Sequence, residues 1–453
     1  MDPITTLPAP PAAPGALPLA GHLWQLVRNP LLFFERQHRG AGVVVVRIGP
    51  KPVHLVTRPG LVRRLLTDPV TFDKGGIFID GVRALAGNGV ATCPTADHAV
   101  QRPILQPAFH RRRIVEYSTA MRAGTDELSR SWHDGQHLDV VRVLHRLAAD
   151  VVTRTLFSGP GAAHAAREIQ RLFPPMLAGL YRRLIVPVAW PHRLPLPANT
   201  EFDAALHGIR RIIAQEIAGY RADGRDRGDL LSAMMHARDE RTGATLTDTE
   251  LNEQVIGMLM AAIETTGSAA AWLLHSLATH PEVEEAVLAE LRDTVGDRDL
   301  NAHDAGSLPV LRRAMTEVLR LYPPFWLLSR VTTRPSELGG YRIPARADVV
   351  FSLYCLQRAP EAFPRPHRFE PDRWLPDRVT AGQKDAQMPF GVGTRKCIGD
   401  MYGQTEIPLI VGTLLRHWRF RHATGRTVVP LVKGTMRPSP LLMVVTRRTA
   451  AFS

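Results

Sequence analysis

At 453 residues, with 45% apolar and 22% charged side chains, the chain has ordinary globular composition and enough material for one large domain able to enclose a cofactor. Its net charge of +13 is carried almost wholly by Arg, and no basic run is interleaved with aromatics, which argues against nucleic acid as a partner. Cys93, Cys355 and Cys397 are odd in number and form no CxxC pair; this excludes a disulfide framework or zinc ribbon and suits a reducing cytoplasm.

A Pro-rich N-terminal arm is read over residues 1–14, its Pro/Ala character running on to Pro18, and a single domain over 15–453. The arm has neither a basic n-region nor an apolar h-region, so no secretory signal is expected. Val43–Ile48 and Pro52–Val56 read as two short strands joined by a turn at Gly49-Pro50-Lys51. From Pro59 to about Ala302, apolar residues recur every three or four positions, which predicts helices. Two breaks interrupt them: a loop over 75–89, with five glycines among Ile77, Phe78, Ile79 and Leu85, and a polar loop over 224–228.

Thr247-Asp248-Thr249-Glu250 reads as a capping box, and His280-Pro281 as a stop. The helix between them spans about 32 residues, roughly 48 Å. Its apolar stretch, 255–278, is long enough to cross a bilayer, but Glu264 sits mid-span and no aromatic or basic belt flanks it. The expectation is a buried central helix and no membrane partner. A further helix starts near Leu308-Pro309 and ends at Tyr322-Pro323-Pro324. The fold class read from this pattern is mostly α with a small β region, in one domain without internal repeats.

Four stretches carry chemistry. In Phe390-Gly391-Val392-Gly393-Thr394-Arg395-Lys396-Cys397-Ile398-Gly399, glycines let the backbone approach a flat ligand, and backbone N–H groups can stabilise a lone thiolate at Cys397. Such a thiolate suits an iron that already has four porphyrin ligands. Glu317 and Arg320 share a helix face. Ala261-Ala262-Ile263-Glu264-Thr265 places an acid and an alcohol beside small residues in an otherwise apolar helix. His98 and Arg102, four apart, also share a face.

The first stretch resembles the haem-binding signature of the cytochrome P-450 family, matching at Phe390, Gly393, Arg395, Cys397 and Gly399. Glu406 fits the continuation of that signature, while Gly403 stands where Ala is usual. Glu317-Val318-Leu319-Arg320 followed by Arg373 resembles the family's E-x-x-R helix and meander arginine, which implies a buried network bracing the cysteine loop. The 261–265 stretch is similar to the family's oxygen-activation motif, with Ala262 replacing the usual Gly. Arg346 is a further departure, standing where Gly is common. The resemblance covers about residues 15–445.

The resemblance implies a cytochrome P-450 fold with haem b buried between the central helix and the cysteine loop, Cys397 being the axial thiolate ligand. His98, Arg102, Arg330 and Arg395 would hold the haem propionates, and Glu264 and Thr265 would deliver protons during dioxygen activation. The implied reaction is monooxygenation of a C–H bond. No flavin or nicotinamide segment is recognisable, so electrons would come from a ferredoxin and its reductase, with Arg395 and Lys396 as candidate docking cations. A monomer is expected. The segments expected to line the substrate side are 77–79, Leu85, Met258, Ala261, Ala262 and 325–328, and they are strongly apolar. With the Phe72–Gly76 run, the pattern is similar to actinobacterial terpenoid oxidases and points to a cyclic terpene of sesquiterpene size. A fatty-acid or polyketide hydroxylase is the alternative within the family, and a non-catalytic haem binder the alternative outside it.

Overall fold

The computed structural model of the protein describes residues 6–38, 40–185, 190–240 and 242–448. Its main sheet has five strands: β1 (Val43–Ile48), β2 (Lys51–Val56), β3 (Phe72–Asp73), β4 (Leu327–Thr332) and β5 (Asp348–Ser352). They lie in the order β1-β2-β5-β4-β3, with only the β2–β5 pair parallel. The N-terminal arm adds to the edge, where Ala13 N donates to the Val45 carbonyl and Val45 N to that of Pro11, each at 2.8 Å.

The segment over 75–89 is not a loop. Residues Ile77–Ala86 form a helix, α1. Its glycines sit mainly at its ends: Gly76 is the N-cap at φ +86°, and Gly87 the C-cap at φ +85°. Asp348 Oδ1 accepts from Ile77 N at 2.8 Å, satisfying a free donor of the first turn, and a Cβ on Gly76 would collide with that carboxylate. Once the glycines are assigned to caps, Ile77, Phe78, Val82 and Leu85 fall at helical spacing.

Five further helices frame the interior: α2 (Thr95–Leu105), α3 (Val140–Leu156), α4 (Ala162–Ile185), α5 (Pro197–Asp223) and α6 (Asp248–Thr279). The loop over 224–228 follows α5, whose C-cap Gly224 is left-handed at φ +69°. The capping box on α6 is complete, and the helix runs 32 residues to His280. It is the one helix among the described residues long and apolar enough to cross a membrane, yet 67% of its most apolar window is buried inside the fold. Trp272 in its C-terminal half is fully buried and stacks on Tyr322, with ring centroids 3.6 Å apart. Toward the C-terminus come α7 (Pro309–Leu321), α8 (Asp400–His417) and a small hairpin of β6 (Pro430–Val432) and β7 (Met436–Pro438). The result is mostly helical, with the main sheet and the β6–β7 hairpin both reaching a central cavity.

Candidate active site

A cavity of about 650 Å³ lies between the middle of α6 and the loop before α8. Cys397 lines it. The loop is closed by Cys397 N donating to the Phe390 carbonyl at 2.9 Å. Gly393, at φ +75°, lies so close to the Leu66 carbonyl that a Cβ would come within 2.6 Å of it. The Cys397 side chain is exposed, but what it faces is the cavity. Burial within the chain pushes its thiol up, while the Gly399 backbone N–H, Arg102 and Lys396 pull it down. The start of α8, three residues beyond, adds the positive end of a helix dipole on the side of the thiolate. Cys93 and Cys355 are buried elsewhere and do not line the cavity. Gly403 needs no special conformation, since a Cβ there would meet Phe390 at an ordinary 3.8 Å.

One end of the cavity collects cations. His98, Arg102, Arg330 and Arg395 all line it, as does Lys74, which had not been singled out as a site residue. Burial pushes the Lys74 ammonium down to about 7, assisted by Arg330 and Arg395. Burial, Arg395 and Arg102 push His98 down to about 4, and burial lowers Arg330 to about 10. Arg330 donates to the carbonyl of its neighbour Ser329, and Arg102 to Gln106 and the Lys396 carbonyl. Asp73, the acid whose field reaches His98, Arg330 and Arg395, is already engaged by Arg395 at 3.3 Å. Three guanidinium groups, with Lys74 and His98 beside them pushed toward their neutral forms, need anionic partners in this pocket, and two carboxylates from a bound group would meet that need.

Arg395 is not a docking cation. Its side chain is only 2% exposed and is tied to Asp73, Thr95 and the Cys93 carbonyl. Lys396 is half exposed and pairs with Asp400.

Across the cavity, Ala261, Ala262, Glu264 and Thr265 form part of its wall. The Thr265 hydroxyl donates to the Ala261 carbonyl at 2.5 Å. Glu264 is buried and accepts from Tyr181 and from Thr435, the latter at 2.7 Å; burial raises its carboxyl above the usual range. Residues 77–79, 258 and 325–328 line the cavity as expected. Leu85 does not: on α1 it faces the main core, and the cavity side of that helix is taken by Val82 and Ala86.

Behind the cysteine loop, the carboxylate of Glu317 receives Arg320 twice at 2.8 Å, Arg373 at 2.9 Å and the Trp374 indole N–H at 2.9 Å. Glu317 and Arg320 are completely buried. The connection to the loop passes through Gln357, whose carbonyl accepts from Arg320 and whose Oε1 accepts from Met388 N at 3.1 Å. Glu406 lies buried beside α6, and burial pushes its carboxyl up to about 8.

The Cytochrome P450 family model matches residues 10–445. The chain belongs to that family. It is 40% identical over 438 residues to pentalenene oxygenase of Streptomyces avermitilis, covering 96% of this chain and 97% of that one. It is 41% identical to cyclooctatin synthase of Streptomyces melanosporofaciens over 95% of this chain and 94% of the other. Cyclooctat-9-en-7-ol 5-monooxygenase from the same organism is 40% identical, with the same coverage of each chain. Among solved structures, the cytochrome P450DA haem domain superposes with a TM-score of 0.85 over 98% of both chains at 24% identity, which is a likeness of fold. As a cytochrome P450 monooxygenase the protein is an oxidoreductase that uses haem on a cysteine thiolate, dioxygen, an apolar substrate and an electron-donating partner. The lone cavity-facing thiol and the cluster of basic side chains fit that cofactor's iron and carboxylates.

Proposed function

We propose that this cytochrome P450 oxidises a cyclic terpene hydrocarbon, with Cys397 as the thiolate ligand and with Lys74, His98, Arg102, Arg330 and Arg395 receiving the haem carboxylates. The observation that carries the substrate class is the lining on the α6 side: α1, α4 and the 325–328 segment contribute apolar side chains, and the one lysine that reaches this side, Lys433 in the β6–β7 turn, is exposed rather than buried. A charged substrate would need a buried counter-ion there. The names of the relatives support the same class.

When bound, the haem supplies reductive dioxygen activation and insertion of one oxygen atom into a C–H bond. The protein's part is to exclude water, orient the hydrocarbon and move protons. Glu264 carries a proton on its carboxylate, and Thr265 passes it on through Oγ1 after leaving the Ala261 carbonyl. Thr265→Ala keeps the cofactor and the substrate, but product per electron falls roughly tenfold and the lost electrons appear as peroxide. Product per electron equal to the unmodified enzyme would remove Thr265 from this role. Glu264→Gln keeps the shape and slows turnover.

Ferredoxin is the proposed electron donor, acting on a monomer in the cytoplasm. Its contact is assigned to Lys396 with Arg111 and Arg112, both exposed and just beyond Phe109, which lies within 4 Å of where a Gly399 Cβ would sit. The three free cysteines suit a reducing compartment.

Two measurements test the site. Lys74→Met should raise the rate of haem transfer to an acceptor apoprotein by about tenfold or more, the loss of one charge-assisted hydrogen bond; an unchanged rate would take Lys74 out of the set. Titration with pentalenene should give a high-spin spectral shift. Burying about 300 Å² of apolar ligand surface contributes about 7–8 kcal/mol before association losses, so affinity should be micromolar. A strong shift from a fatty acid, with none from any terpene, would overturn the substrate class and leave the haem-thiolate assignment intact.

A further inference from the structure

Three separate parts of the chain meet at Glu264. Tyr181, near the end of α4, donates its phenol proton to Glu264 Oε2. Thr435, in the turn between β6 and β7, donates to the same oxygen at 2.7 Å. Gly434 makes room for this meeting, because a Cβ there would land on the Tyr181 ring. All three side chains line the cavity, and Arg437 on β7 is the cation whose field reaches the carboxylate. Neither Tyr181 nor Thr435 belongs to any of the stretches that resemble the family's motifs.

We infer that Tyr181 is a positioning residue for Glu264, holding the carboxylate at one place in the distal wall so that proton delivery starts from a fixed point. The inference rests on the proton-carrying role of Glu264 proposed above. A free glutamate side chain samples many rotamers, and each productive delivery would have to wait for the right one. Two donors on Oε2 remove that freedom in advance, and Oε1 lies outside both bonds. The phenol suits the task. Burial, followed by the neighbouring carboxylate, holds its proton well above the usual phenol range, so Tyr181 donates a hydrogen bond without giving the proton away. Since α4 also contributes Leu177, Leu180 and Leu184 to the cavity, the bond makes the position of the acid depend on how the substrate-contacting helix is seated.

The test uses four holoenzymes: the unmodified protein, Tyr181→Phe, Glu264→Gln and the double variant. The first readout is infrared. The carboxyl C=O stretch of Glu264, identified by difference against Glu264→Gln, is titrated with pH. A donor to the carboxylate favours its ionised form, so Tyr181→Phe should move the midpoint upward. An unmoved midpoint would overturn the proposal. The second readout is product per electron and the binding constant with pentalenene as the probe. Tyr181→Phe should lower product per electron about tenfold while leaving binding within twofold, and should add nothing in the Glu264→Gln background. An equal loss in both backgrounds, or a binding constant that moves in both, would mean that Tyr181 acts on the substrate and not through Glu264. Gly434→Ala, which displaces the ring without altering either polar group, should reproduce the infrared shift. If Glu264→Gln leaves turnover unchanged while the infrared midpoint still moves, the proton-carrier reading fails and the hydrogen bond stands.

Discussion

Replacing Cys397 with Ser should abolish the strongly red-shifted Soret band of the reduced carbon-monoxide complex and lower turnover at least about a thousandfold, some 4 kcal/mol in the barrier. The reason is electronic. As the axial ligand, the Cys397 thiolate would supply electron density to the iron, and a serine oxygen in the same loop would not reproduce that push. The loop itself should survive, because its closing bond from Cys397 N to the Phe390 carbonyl is backbone to backbone. Cys93→Ser and Cys355→Ser are the controls. Both side chains are buried away from the cavity, so both variants should keep the band. A Cys397→Ser protein that retained the band would show that another group holds the iron.

Glu317→Gln should destabilise the fold by about 3–5 kcal/mol, which is large beside a total of about 5–15 kcal/mol for an ordinary domain. The carboxylate is completely buried and receives two guanidinium groups, an indole N–H and the Glu370 backbone N–H. An amide of the same shape leaves Arg320 and Arg373 without their counter-charge and turns one acceptor into a donor facing donors. The damage should reach the cofactor as well, because Arg320 supports Gln357 and Gln357 supports Met388 at the root of the cysteine loop. The measurements are the urea midpoint at unchanged slope and the haem content of the purified protein. A change within about 0.5 kcal/mol, the range of an ordinary surface substitution, would mean that the network is not the brace described here.

What the sequence revealed was local chemistry. The Thr247–Glu250 capping box, the start of α7 at Pro309 and the spacing of the cysteine loop are each set within a few residues, and each stands in the structure where it was expected. Five glycines over 75–89 predict a loop, whereas Gly76 and Gly87 are helix caps, one of them fitted to Asp348 some 270 residues away. Arg395 reads in sequence as a surface cation for a like reason: Asp73, the acid that engages it and draws it inward, is 322 positions distant. Tyr181, Gln357 and Thr435 have no neighbouring signature, since what makes them matter is a partner brought by another element; Lys74 lies in the Phe72–Gly76 run, but its place among the cavity cations depends on Arg330 and Arg395. Arg346 illustrates the opposite case. It adopts φ +56°, which accounts for the fit of Gly at this turn, and its N–H donates to the Thr332 carbonyl at 2.7 Å.

The parallel pairing of β2 with β5 has a bearing on how the protein is made. Val53 through Val56 lie beside Asp348 through Phe351, almost 300 residues downstream. At about 5–20 residues per second, the ribosome needs about 15–60 s to supply the second strand after the first. For that interval β1 and β2 are a two-stranded hairpin with an open edge, a form that is marginal in water and ready to pair with another nascent chain. The cysteine loop emerges later still, so the walls of the cavity come together only after the last helix is complete. Cofactor loading is therefore a late step, and slower translation would lengthen the exposed interval.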